Sequence, residues 1–110
     1  MAGTTLVDRI EQALAIARNH AREGNVCMME LELPAAVEIA RRARRDISAE
    51  LKEIQTIAYQ KALPLALSEA EKSARKKKLP EMRTLLEWAQ HYAKALGQDV
   101  TSDIARIKSI

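Results

Sequence analysis

Apolar residues return every three or four positions along nearly the whole chain, a rhythm that predicts helices rather than strands. Between residues 4 and 23, Leu6, Ile10, Leu14, Ala17 and Ala21 form one stripe. Thr4 or Thr5 offers an N-cap, and Gly24–Asn25 supplies a stop. A second stripe follows from Val26 to Arg44, carried by Met29, Leu33, Ala36, Val37, Ala40 and Ala43. Pro34 lies within it, and a proline there predicts a kink or a start delayed to about Leu33.

The third predicted helix begins at Ser48 and runs to about Lys77. It carries Leu51, Ile54, Ile57, Leu63, Leu67, Ala70 and Ala74, with a kink expected near 60–63 ahead of Pro64. The fourth starts at Leu79–Pro80, where proline suits the first turn, and stops at Gly97. Its apolar positions are Met82, Leu85, Leu86, Ala89, Ala93 and Leu96. A short fifth helix from Thr101 onward carries Ile104, Ile107 and Ile110. Isoleucines on so short a helix must be buried, either on the third and fourth helices or in a partner; the first is the expectation here.

The same rhythm contains a longer one. Residues 13–57 align with residues 66–110 without a gap, and twelve of the 45 pairs are identical. Leu14 matches Leu67, Ala17 matches Ala70, Met29 matches Met82, Leu33 matches Leu86, Ala36 matches Ala89 and Asp46 matches Asp99. A fixed period of this size points to stacked helical hairpins. The phrase around Asp46–Leu51 returns around Asp99–Ile104 and has the parts of a helix start. Ser48 or Thr101 would accept from the first-turn N–H groups, and Glu50 or Asp103 would complement the positive end of the dipole.

These elements define an all-α chain, a single domain made of two tandem hairpin units, residues 4–57 and 58–110, plus the short last helix. Short connections make neighbouring helices antiparallel, so an up-down bundle is the expected architecture, with an open solenoid fragment as the alternative. The alanines at 17/21, 36/40, 70/74 and 89/93 let helix axes approach closely.

Composition narrows the classes. Apolar residues make up 47% and charged residues 30%, an ordinary globular balance that argues against a disordered chain. With no Phe, the core is left to Ala, Leu, Ile, Val and Met. Cys27 is the lone cysteine, so neither an intramolecular disulfide nor a four-cysteine metal site is available. No apolar run approaches the length of a membrane span, and MAGTTLVDRI lacks the pattern of a signal peptide. The expectation is a cytoplasmic protein without a membrane partner.

Candidate chemistry is sparse. The net charge is +3, with basic clusters at Arg41, Arg42, Arg44 and Arg45 and at Arg75, Lys76, Lys77 and Lys78. Each cluster ends a predicted helix, where cations complement the dipole without any ligand. The same groups could grip the phosphate backbone of RNA or DNA, as in a ribonucleoprotein assembly. In an up-down bundle they would make two patches at opposite ends rather than one stripe. Leu85, Trp88 and Tyr92 form a second apolar stripe on the fourth helix and, with Ile104 and Ile107, are the candidate surface for a protein partner or a second copy.

His20 and His91 lie on different helices and lack the carboxylate–histidine pattern of a metal bundle. Cys27 reads as a buried or inert thiol. No catalytic triad, phosphate loop or dinucleotide fingerprint occurs. The sequence therefore predicts a non-enzymatic scaffold or adaptor with no cofactor and no metal, and nucleic-acid binding as the second reading.

Overall fold

The computed structural model describes residues 5–110, and among them the fold is an all-α helical bundle without strands. The helices are α1 (Leu6–Arg22), α2 (Val26–Arg42), α3 (Ser48–Arg75), α4 (Leu79–Leu96) and α5 (Thr101–Lys108). Two compact units divide the chain, one ending at Ala58 and the other covering Tyr59–Ile110, and α3 belongs partly to each.

The helix starts follow local chemistry. Thr5 caps α1: its hydroxyl accepts from the Asp8 N–H at 3.1 Å, and the Asp8 carboxylate accepts from the Thr5 N–H at 3.3 Å. This reciprocal box satisfies two otherwise orphaned donors. Thr4, the other cap candidate, lies outside the described residues. Asn25 caps α2 by accepting from the Met28 N–H at 3.2 Å, so α2 begins at Val26 rather than at Leu33. Pro34 sits inside α2 and Pro64 inside α3, and neither divides its helix. Both prolines are exposed, so neither ring is wedged into the core.

The starts of α3 and α5 depart from the sequence expectation. Ser48 and Thr101 are donors, not acceptors. The Asp46 carboxylate accepts from the Ser48 N–H at 2.9 Å and from its hydroxyl at 2.6 Å. Asp99 accepts from the Thr101 N–H and hydroxyl at the same two distances. These bonds hold both carboxyls below the usual carboxylate range, the side-chain bond first and the backbone bond second. The aspartate is the more avid acceptor, being ionised, and it takes the hydroxyl proton that a capping serine would otherwise turn outward.

Four helix ends share one motif. At the end of α1 the Asn25 N–H reaches the His20 carbonyl and the Gly24 N–H reaches Ala21. The matching pairs are Arg45 to Ala40 with Arg44 to Arg41, Lys78 to Ser73 with Lys77 to Ala74, and Gln98 to Ala93 with Gly97 to Lys94. Each is a Schellman turn, which needs one residue in the left-handed region. Gly24 and Gly97 supply it at φ 74° and 70°, whereas Arg44 and Lys77 adopt it at φ 55° and 59°. The left-handed residues explain why α2 and α3 each stop two residues earlier than periodicity alone suggests.

The core of the first unit is built from Ile10, Leu14, Ala17, Met29, Leu33, Ala36 and Ile54, with α1 packed on α2. In the second unit Ala66, Ala70, Met82, Leu86, Ala89 and Ile107 are buried. α5 is held within its own unit: Ile104 and Ile107 are buried, and Arg106 donates to Glu71 of α3 at 2.7 Å.

Candidate protein-contact faces and basic clusters

Trp88 anchors a short aromatic stack. Its ring lies 6.0 Å from that of Tyr92, which stacks in turn on Tyr59 of α3 at 5.1 Å. His91 meets Tyr59 edge-on at 5.7 Å. The stack thus gathers the single Trp and both Tyr of the chain, which has no Phe. Its inner members are buried, Tyr92 being 8% exposed, while Trp88 at the outer end is 45% exposed. Such a partly covered, pre-positioned aromatic has apolar area left for a partner and little side-chain entropy left to lose.

Of the five residues expected to form a partner surface, Trp88 is exposed and Leu85 half-buried. Tyr92, Ile104 and Ile107 are not on the surface. Tyr92 faces inward onto Tyr59, and the α5 isoleucines fill the second unit's own core. An eight-residue helix with two large apolar side chains is fixed most economically inside its own unit.

The larger exposed apolar face lies on α2, where the sequence reading did not place one. Met28, Leu31 and Val37 are exposed, and so are Pro34 and Ala35. Leu31 leaves 70% of its surface uncovered. The signal was present in the run from Met28 to Val37, which is apolar on both sides of the helix. Assigning Met29, Leu33 and Ala36 to the core leaves the remaining apolar residues facing out. Beside this face, Leu33, Pro34, Val37 and Leu51, flanked by Glu30, Glu38 and Gln55, line a depression of about 460 Å³.

A depression of about 530 Å³ occupies the corresponding place in the second unit. Its Arg83, Leu86, Glu87, Gln90, Ile104 and Lys108 each stand 53 residues beyond a lining residue of the first. The second is polar where the first is apolar: Glu87 replaces Pro34 and Gln90 replaces Val37.

The basic clusters are partly neutralised. Arg41 and Arg42 share Glu38, at 2.8 and 3.3 Å. The Arg41 hydrogen bond and charge hold the Glu38 carboxyl below its ordinary value and push the Arg41 guanidinium up. Arg45 reaches Glu11 of α1 at 3.0 Å, and Arg75 reaches Glu71 at 3.1 Å. Arg44, Lys76, Lys77 and Lys78 take part in no ion pair among the described residues. Arg44 belongs to the first unit and the three lysines to the second.

Cys27 is exposed in the first turn of α2, which removes the buried half of the buried-or-inert reading; with α2 starting at Val26, that position points outward. No described helix is long and apolar enough to cross a membrane. No known family model, curated protein or solved structure matches the chain.

Proposed function

We propose that the chain is a non-enzymatic helical scaffold or adaptor that works through protein contacts. The observation that carries this reading is the exposed apolar surface on two helices, Met28 and Leu31 on α2 and Trp88 on α4. Water gains nothing from apolar surface of this size, whereas a partner that covers it recovers roughly 25 cal/mol for each Å² of apolar area. Both helices are formed without a partner, which lowers the entropic cost of association.

Affinity capture tests the reading, with wild type, Trp88→Ala and Leu31→Glu compared side by side. Partners held by wild type and lost with either variant support it. Identical captured sets in all three would sink it, provided circular dichroism shows the variants folded.

A second reading, backbone-directed binding of RNA or DNA, is favoured by one observation: Arg44, Lys76, Lys77 and Lys78 have no carboxylate partner among the described residues. A fluorescence-anisotropy titration with mixed-sequence RNA and a DNA duplex, at about 50 and 200 mM salt, tests it. Phosphate contacts predict binding that weakens steeply with salt and is lost when those four cations are neutralised. No binding at the lower salt eliminates the reading.

A further inference from the structure

Among the exposed apolar residues, those on α2 line up along one face, and the charges beside them differ from those on α4. On α2 the stripe of Met28, Leu31 and Ala35 repeats at three and four residues, so these side chains share one face. Glu30 and Glu32 flank its N-terminal half, and Arg41 and Arg42 follow at its C-terminal end. The C-terminal end stays net positive although Glu38 is paired there, because two arginines share that one carboxylate. The helix is therefore acidic at one end of its exposed apolar face and basic at the other. On α4 the positions 53 residues on are Arg83 for Glu30 and Lys94 for Arg41, Leu85 for Glu32 and Ala95 for Arg42, and Glu81 stands beside Arg83, so α4 lacks the opposed charge pairs of α2.

This difference selects the partner. A helix face with opposite charges at its two ends is complementary to itself when turned end for end, the arrangement of a two-fold, isologous contact. α4 placed in the same arrangement would bring Arg83 against Lys94. We propose that α2 is the dimerisation surface of this protein, pairing antiparallel with α2 of a second copy. The crossing lies near Pro34–Ala35, where the small alanine lets the axes approach. Leu31 packs onto the partner's Ala35, and Glu30 and Glu32 of each copy face Arg41 and Arg42 of the other. The proposal rests on the scaffold reading and gives it a first partner, a second copy of the chain.

Sedimentation of the full chain up to about 0.5 mM tests it, since even a weak specific dimer with a Kd near 0.1 mM is then well populated. The expected result is a monomer–dimer equilibrium that Leu31→Glu weakens at least tenfold and Trp88→Ala leaves unchanged. Charge reversal in trans is the sharper test. A chain carrying Glu30→Lys and Glu32→Lys has an α2 net basic at both ends, and one carrying Arg41→Glu and Arg42→Glu has an all-acidic one. Each alone is expected to stay monomeric, and their mixture to form a heterodimer, which also shows that both variants remain folded. The native Cys27 reports orientation. Antiparallel crossing near Pro34–Ala35 separates the two Cys27 residues by about 22 Å along the axis, at a rise of about 1.5 Å per residue. Oxidation should then produce no Cys27–Cys27 cross-link within the dimer.

A monomer at every concentration overturns the proposal, and the capture experiment still decides the scaffold reading. Dimerisation that Trp88→Ala abolishes and Leu31→Glu spares also overturns it, moving the contact to α4. Rapid Cys27 cross-linking within the dimer rules out the antiparallel arrangement.

Discussion

The two units hold one contact with the charges exchanged. In the first, Arg18 of α1 faces Glu53 of α3 at 3.9 Å; in the second, Glu71 of α3 faces Arg106 of α5 at 2.7 Å. Positions 18 and 71 are 53 residues apart, as are 53 and 106. What is preserved between the units is the opposition of charge at a fixed pair of positions, not the residues that supply it. The left-handed turns behave alike. Gly24 corresponds in position to Lys77, and Arg44 to Gly97, so each unit solves one of its two turns with glycine and the other with a long cation. The ion pair and the turns thus recur 53 residues apart with different side chains supplying them.

The comparison is broken most forcefully in the two cores. Ile54 and Ile107 hold corresponding positions, and both are fully buried. Replacing either with alanine should cost about 2–5 kcal/mol in urea unfolding, because a buried methylene-rich side chain leaves a cavity. An Ile107→Ala cost well under 1 kcal/mol would mean that α5 is not held as an integral part of its unit.

The turns come next. Gly97 has open space around its Cα, so Gly97→Ala should cost about 1–2 kcal/mol through the left-handed backbone alone. Arg44→Gly and Lys77→Gly should raise the melting temperature, by less than the alanine change lowers it, because glycine also loosens the unfolded chain. Equal melting temperatures for wild type and both glycine variants would show that the cations are unstrained there.

A smaller effect is expected at the helix starts. Asp46→Ala and Asp99→Ala should each lower the melting temperature by a similar amount, since the two carboxylates make the same pair of bonds. Their carboxyls are held below the ordinary value of 3.8 in the folded chain. The stabilisation is therefore present above that value and is lost as pH falls through the folded one. Melting curves from neutral pH into acid should converge for wild type and variants at the acid end. A constant gap between them would assign the loss to something other than charge.

The smallest effect belongs to the exchanged ion pair. Arg106→Glu should lower the melting temperature slightly by placing two carboxylates together, and adding Glu71→Arg should recover most of the loss. The recovered pair then matches the charge order of Arg18 and Glu53. Exposed pairs contribute little, so a double-mutant cycle rather than either single change carries the result.

Much of this was legible along the chain. The spacing of Ile10, Leu14 and Ala17, or of Met82, Leu86 and Ala89, is set by 3.6 residues per turn, and those side chains are core. Asn25 was read as part of a stop and is also the cap that lets α2 begin seven residues ahead of Leu33. Other residues were misread because their partners are close in space or their roles compete. Tyr92 looked like surface beside Trp88 until Tyr59, 33 positions away in the chain, covered it. Val37 was read as part of the apolar stripe of α2, and Leu31 was not singled out at all. Only the burial of their neighbours shows that they face out.

The sequence by itself determined where the helices lie to within about two residues at the α2 and α3 ends, the core stripe of each, and the glycine stops at Gly24 and Gly97. All of these depend on residues within a turn or two of one another. The tertiary structure decided which cations meet a carboxylate, which aromatic stays in water and which apolar face is left uncovered. Those outcomes depend on what a second helix brings to the same place, and chain-local spacing does not encode that.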